Sequence, residues 1–146
     1  MSDEARFAIG EFENGGLVSI CQFRQAIPAE VRRQFPRQFI VEWQFSDTQS
    51  NGLPSKGDYE RAVELQGMMT APLEEDSESL LAIISTGNGY REWYFYCRDP
   101  QVLATRFNQV VKGQDFPVEL HVGLDPEWKV YEEFTLPFMD PEKRKL

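Results

Sequence analysis

At 146 residues, with 41% hydrophobic and 13% aromatic side chains, the chain can bury one apolar core without disulfides or metal, and wholesale disorder is excluded. Its net charge is −9, and the excess lies between residues 39 and 79, where nine acids face two bases. A field of that sign repels phosphate backbones and anionic lipid, so nucleic acid and membrane surfaces are poor partners and a basic patch on another protein is a better one.

No run approaches the roughly 18 to 20 apolar residues of a membrane span. Met1-Ser2-Asp3-Glu4 is acidic where a signal peptide would be basic and then apolar, so a cytoplasmic location is expected. Cys21 and Cys97 have no CxxC partners and no paired histidines. Both read as reduced, buried thiols.

In chain order, residues 1–16 end on the turn signal Glu13-Asn14-Gly15-Gly16 and read as a flexible start or a short edge strand. Residues 17–26 read as a strand that is apolar on both sides at its beginning. Two prolines in residues 27–36 leave room for a helical turn or two. In residues 39–45, Phe39, Val41, Trp43 and Phe45 alternate with Glu42 and Gln44, which makes a strand with one core face and one polar face. Residues 46–57 are a loop by composition and the segment expected to be mobile.

Residues 58–73 read as a helix capped by Asp58 or Ser55, with Tyr59, Ala62, Val63, Leu65, Met69 and Leu73 along its apolar stripe. Pro72 is expected to end or kink it, and the acids of residues 74–78 to lie in a solvated loop. Residues 80–99 read as a β-hairpin reversing at Thr86-Gly87-Asn88-Gly89. Asp99-Pro100 opens a second helix that Gly113 stops. Val118, Leu120, Val122 and Leu124 mark the last strand, with Glu119 and His121 opposite. Asp125-Pro126 opens a short helix lined by Trp128, Tyr131 and Phe134, and residues 137–146 read as a flexible tail.

Residues 39–124 therefore read βαββαβ, a ferredoxin-like α+β sandwich with both helices behind one antiparallel sheet. A strand over 17–26 is added at one edge, a short C-terminal helix at an end or over the open face, and residues 1–146 form a single domain. By alternation the open face carries Glu42, Gln44, Tyr94, Tyr96, Arg98, Glu119 and His121. Acids on that face and the lack of a basic stripe argue against RNA stacking on the tyrosines. They either pack beneath the Trp128 helix or the N-terminal segment, or anchor a partner protein.

His121 is the one histidine, neither GxSxG nor a cysteine-protease signature occurs, and Gly87-Asn88-Gly89 lacks nucleotide-loop spacing. No catalytic residue, cofactor or metal ligand is assigned. The candidate binding residues are Tyr94, Tyr96, Arg91, Arg98, Glu42, Glu119 and His121. The leading expectation is a non-catalytic binding or regulatory module that engages a basic protein partner. The alternatives are a small-ligand enzyme with a cleft near Arg91, Tyr96, Glu119 and His121, and a structural domain that forms homodimers through the added edge strand.

Thr86-Gly87, Arg91-Glu92, Tyr94 or Tyr96, Asp125-Pro126-Glu127-Trp128 and Tyr131 resemble the bacterial domain-of-unknown-function family 695, over about residues 17–134. That resemblance implies a small cytosolic α+β domain. More loosely, the aromatic strand, Asp-Pro helix, strand and Asp-Pro-x-Trp run resembles the ferredoxin-like regulators of ribonuclease E activity of the protein B type. Those are small, acidic and act by binding an enzyme, which implies a protein partner here.

Overall fold

The structure, a computed structural model, describes residues 7–138. The strands are β1 (Phe7–Asn14), β2 (Leu17–Arg24), β3 (Arg37–Gln44), β4 (Ser79–Gly87), β5 (Tyr90–Cys97) and β6 (Val118–Leu124). The helices are α1 (Ala29–Gln34), α2 (Lys56–Glu74), α3 (Pro100–Val110) and α4 (Lys129–Thr135), with single 3-10 turns at Glu75–Ser77 and Leu136–Phe138. This is a mixed α+β architecture on one six-stranded sheet, ordered β1-β2-β4-β5-β3-β6 with every neighbouring pair antiparallel. Among the described residues no helix is long and apolar enough to cross a membrane.

The β4–β5 reversal falls at Asn88 and Gly89, both with positive φ (53° and 87°), as a two-residue hairpin turn matched to strand twist requires. The β1–β2 turn at Gly15 and Gly16 uses the same device (61° and 86°). Residues 7–14 are thus not a flexible start; they pair along the whole length of β2. At the other end, Phe138 stacks 6.1 Å from Phe23 and lies so close to Gly10 that a Cβ there would overlap its ring. Residue 138 is therefore packed rather than part of a tail. Residues 1–6 and 139–146 of the expected flexible ends lie outside the described residues.

On one side, the front, α2 and α3 pack over Phe39, Val41, Trp43, Trp93, Phe95 and Leu81. Ser55 caps α2, its Oγ accepting from the Asp58 N–H at 3.3 Å. Asp99 caps α3, its carboxylate accepting from Gln101 N–H at 2.9 Å, with Pro100 in the first turn. Helix α2 runs through Pro72 to Glu74, and only Ala62, Leu65, Met69 and Leu73 of its stripe are fully buried. Tyr59 and Val63 remain about half exposed. Glu74 is not solvated loop: it accepts from Leu81 N–H at 2.8 Å and pairs with Arg24.

The back of the sheet is also covered, over part of its width. Tyr94, Tyr96, Cys21, Phe23 and Ile83 meet Phe35 beside α1 and Trp128 and Tyr131 of the α4 segment. Tyr96 is the junction. Its ring stacks on Trp128 at 3.7 Å, and its hydroxyl donates to the Asp125 carboxylate at 2.7 Å while accepting from Gln38 Nε2 and Tyr131 N–H. The same carboxylate accepts from the N–H groups of Lys129 and Val130, so one buried acid closes both the strand hydroxyl and the first turn of α4. Burial and the Asp125 charge push the Tyr96 hydroxyl pKa well up. Replacing Trp128, whose Nε1 also donates to the carbonyls of Arg32 and Phe35, with alanine should cost about 3–5 kcal/mol in urea unfolding. A loss below about 1 kcal/mol would mean that α4 is not fastened to the sheet in this way.

Candidate functional site

What α1 and α4 leave uncovered is the back of β6, the Glu42 end of β3 and the hairpin end of β5 and β4. Register places Glu119 opposite Glu42, Glu42 opposite Glu92 and Glu92 opposite Ser85, so three carboxylates stand abreast on adjacent strands. His121 flanks them, its Nε2 3.7 Å from both Glu42 and Glu119. Alongside, Ser19, Ser85, Asn88, Tyr90, Glu42 and Glu92 line a shallow trough of about 380 Å³. No lysine or arginine lines it.

Like charges side by side on a sheet repel, and at Glu92, half-buried like Glu42, that repulsion adds to the cost of burial. Burial first, and the neighbouring Glu42 charge second, raise the Glu92 carboxyl above its ordinary range, against a hydrogen bond from Tyr94 and the nearby His121. The Tyr94 hydroxyl is pushed up in turn by burial and by Glu92. His121, Glu42 and Glu119 also bring one imidazole and two carboxylates within 4.8 Å of one another. That set supplies three of the four donors that a zinc site uses, on an open surface where water would complete the shell.

The residues expected to form one site fall into four environments. Glu42, Glu119 and His121 do come together. Tyr94 (9% exposed) and Tyr96 (0%) do not display rings to a partner; they are core beneath α4, the packing alternative that alternation left open. Arg98 spends its Nε on the Ser77 carbonyl and a terminal nitrogen on Gln34 Oε1, and it lies 5.5 Å over the Phe35 ring, so it braces α1 against the end of α2. Arg91 is on the opposite side of the sheet altogether, hydrogen-bonded to Thr86 Oγ1 and Gln66 Oε1 at 2.8 Å each.

A cleft shared by Arg91, Tyr96, Glu119 and His121 is therefore ruled out by strand geometry. Odd-numbered residues of β5 face α2 and α3, and even-numbered ones face the back of the sheet. Glu92 was the residue missed, although its place in the polar alternation of β5 was visible. What the sequence did not show is that it would sit level with Glu42 and Glu119.

The cysteines behave as read: both are free and buried, and burial pushes the thiol of Cys21 up to about 11 and that of Cys97 to about 12.

Residues 14–136 match the Family of unknown function (DUF695), and the chain belongs to that family. No curated protein and no solved structure matches it, so the looser likeness to the ribonuclease E regulators gains no support.

Because the folded-state pKa of Glu92 is raised, its ionisation opposes folding: the penalty is absent at low pH and appears as pH rises through that raised value. Glu92→Gln should therefore raise the thermal midpoint at pH 7, and the gain should vanish at about pH 4, near the ordinary carboxylate range. Equal midpoints at pH 7 would show that Glu92 is not crowded by its neighbours.

Proposed function

We propose that this DUF695 protein is a non-catalytic binding module that engages a basic segment of a partner protein through the uncovered part of its back face. The observation that carries the reading is the row Glu119, Glu42, Glu92 with, among the described residues, His121 alone set against it. Carboxylates held level across three strands cannot relieve one another, and cationic side chains from a partner would. The net charge of −9 adds long-range attraction for such a partner. We extend the same reading to the fold. Strands β6-β3-β5-β4 with α2 and α3 on one side support a ferredoxin-like βαββαβ unit, to which β2 and β1 are added at one edge.

A second reading rests on β6. Leu120, Val122 and Leu124 face the helix side yet are exposed, Val122 at 67% and Leu124 at 73%, because α3 does not reach over this edge strand. An apolar edge of that kind supports pairing with a second copy of the chain. It replaces the edge strand at 17–26 as the place for self-association, since β2 is enclosed between β1 and β4.

Capture from a native lysate should retain a protein on the wild-type chain that is lost both in about 0.5 M salt and on a Glu42→Gln/Glu92→Gln/Glu119→Gln variant. Retention that survives the triple substitution would exclude the acidic row. For β6, solution mass should rise with concentration and stay monomeric in Val122→Lys. A wild-type chain that is monomeric throughout would end the second reading.

A further inference from the structure

On the front, the two-stranded extension β1–β2 reaches past α2 and leaves a groove of about 530 Å³ between β2, the 46–55 loop and the first turn of α2. That loop is held in place rather than loose. Gly89 N–H donates to the Gly52 carbonyl, Val18 N–H to the Asn51 carbonyl, and the Asp58 carboxylate accepts from the N–H groups of Ser46 and Asp47. Ile9, Ile20, Leu53 and Pro54 give the groove an apolar wall. Polar side chains, among them Ser55, Lys56 and Arg91, line the rest of it near the start of the 19-residue helix α2, and among the described residues no acid lines it, in a chain with 24 acids and 15 bases.

Arg91 is the anomaly. It is 4% exposed, a charge buried on the core-facing side of β5, and none of its hydrogen-bond partners is an acid. Its two terminal nitrogens each make one bond to a neutral oxygen, and its Nε has no acceptor. Tyr59 and Trp93 rings stand 5.7 and 5.4 Å from the guanidinium, which polarises them without neutralising it. Burial lowers its pKa, the mark of a cation short of compensation. Lys56, exposed on the same groove, makes no ion pair among the described residues. Two cations without an acidic partner beside an apolar wall form a site for one kind of ligand.

We propose that this groove binds a small organic carboxylate, its anionic head between Lys56, Arg91 and the start of α2 and its apolar body against Ile9, Ile20, Leu53 and Pro54. The carboxylate supplies the missing counter-charge to a guanidinium whose two terminal nitrogens each keep one N–H unspent. An inorganic anion would meet the charge but leave the apolar wall wet. A neutral alcohol of the same length would cover the wall but leave the guanidinium uncompensated.

Trp93 reports on the site, because its Nε1 donates to the same Gln66 Oε1 as Arg91, at 2.8 Å. The test is a fluorescence and thermal-shift titration of the full chain with acetate, hexanoate, octanoate, benzoate, octanol and inorganic phosphate. Hexanoate, octanoate or benzoate should saturate, with octanol and phosphate at least tenfold weaker. Lys56→Met, a surface change that leaves the core intact, should weaken the carboxylate about tenfold, and Arg91→Lys should weaken it further. Failure of every carboxylate to saturate would overturn the proposal, as would octanol binding equally well or an unchanged affinity in Lys56→Met. None of these results bears on the acidic row, which lies on the other face of the sheet.

Discussion

The contact on which the arrangement depends is the stack of Tyr96 on Trp128 with the Asp125 carboxylate beneath both. It joins the middle of the sheet to the C-terminal helix through a charged acceptor that serves three donors at once, a geometry worth more than separate neutral bonds. Everything on the back face follows from where this junction sits. Tyr94, Tyr96, Ile83 and Phe23 become core, and the hairpin end of β5 with the Glu42 end of β3 and the back of β6 stays open. Trp128 holds a left-handed backbone conformation (φ 57°) to make the turn into α4, a cost for a bulky residue that the stack and its two indole hydrogen bonds offset.

Strand β5 then does two opposite things with adjacent residues. Arg91 goes to the helix side, into apolar surroundings without an acid, and Glu92 goes to the other side, into a row of like charges. Neither is placed where folding would prefer it, since each keeps a charge that its neighbours do not cancel. The two residues are next to each other in the chain and could have formed nothing together, because the pleat turns them to opposite surfaces. Such uncancelled charges depart from the arrangement that stability alone would choose.

The two sheet edges differ in the same sense. At one, β1 is packed by Phe138 on its back side at Gly10 and borders the groove beside Leu53, Pro54 and Lys56 on its front. At the other, β6 keeps an apolar stripe beyond the reach of α3. A bulge between Leu81 and Ile83 lets β4 turn Ala82 and Ile83 together toward α4 while Leu81 and Ile84 face α2, so a single strand supplies both cores.

Strand and helix positions were legible in the sequence because they depend on neighbours in the chain. Alternation in Phe39 to Phe45, the Asn-Gly reversal and the Asp-Pro cap of α3 each act within a few residues, and each was found in place. The shared cleft expected for Arg91 and Tyr96 ran against that same alternation, which sets odd and even positions of β5 on opposite sides; an arginine in step with Trp93 and Phe95 was the one mark of its burial. Which side of the sheet a distant segment would cover was another matter. Whether the tyrosines were surface or core turned on α4, more than thirty residues away, and the exposure of Val122 and Leu124 turned on how far α3 extends. Those outcomes come from packing between segments that no short-range pattern relates. So the level alignment of Glu119, Glu42 and Glu92, set by the registers of three strands, belonged to the tertiary structure alone.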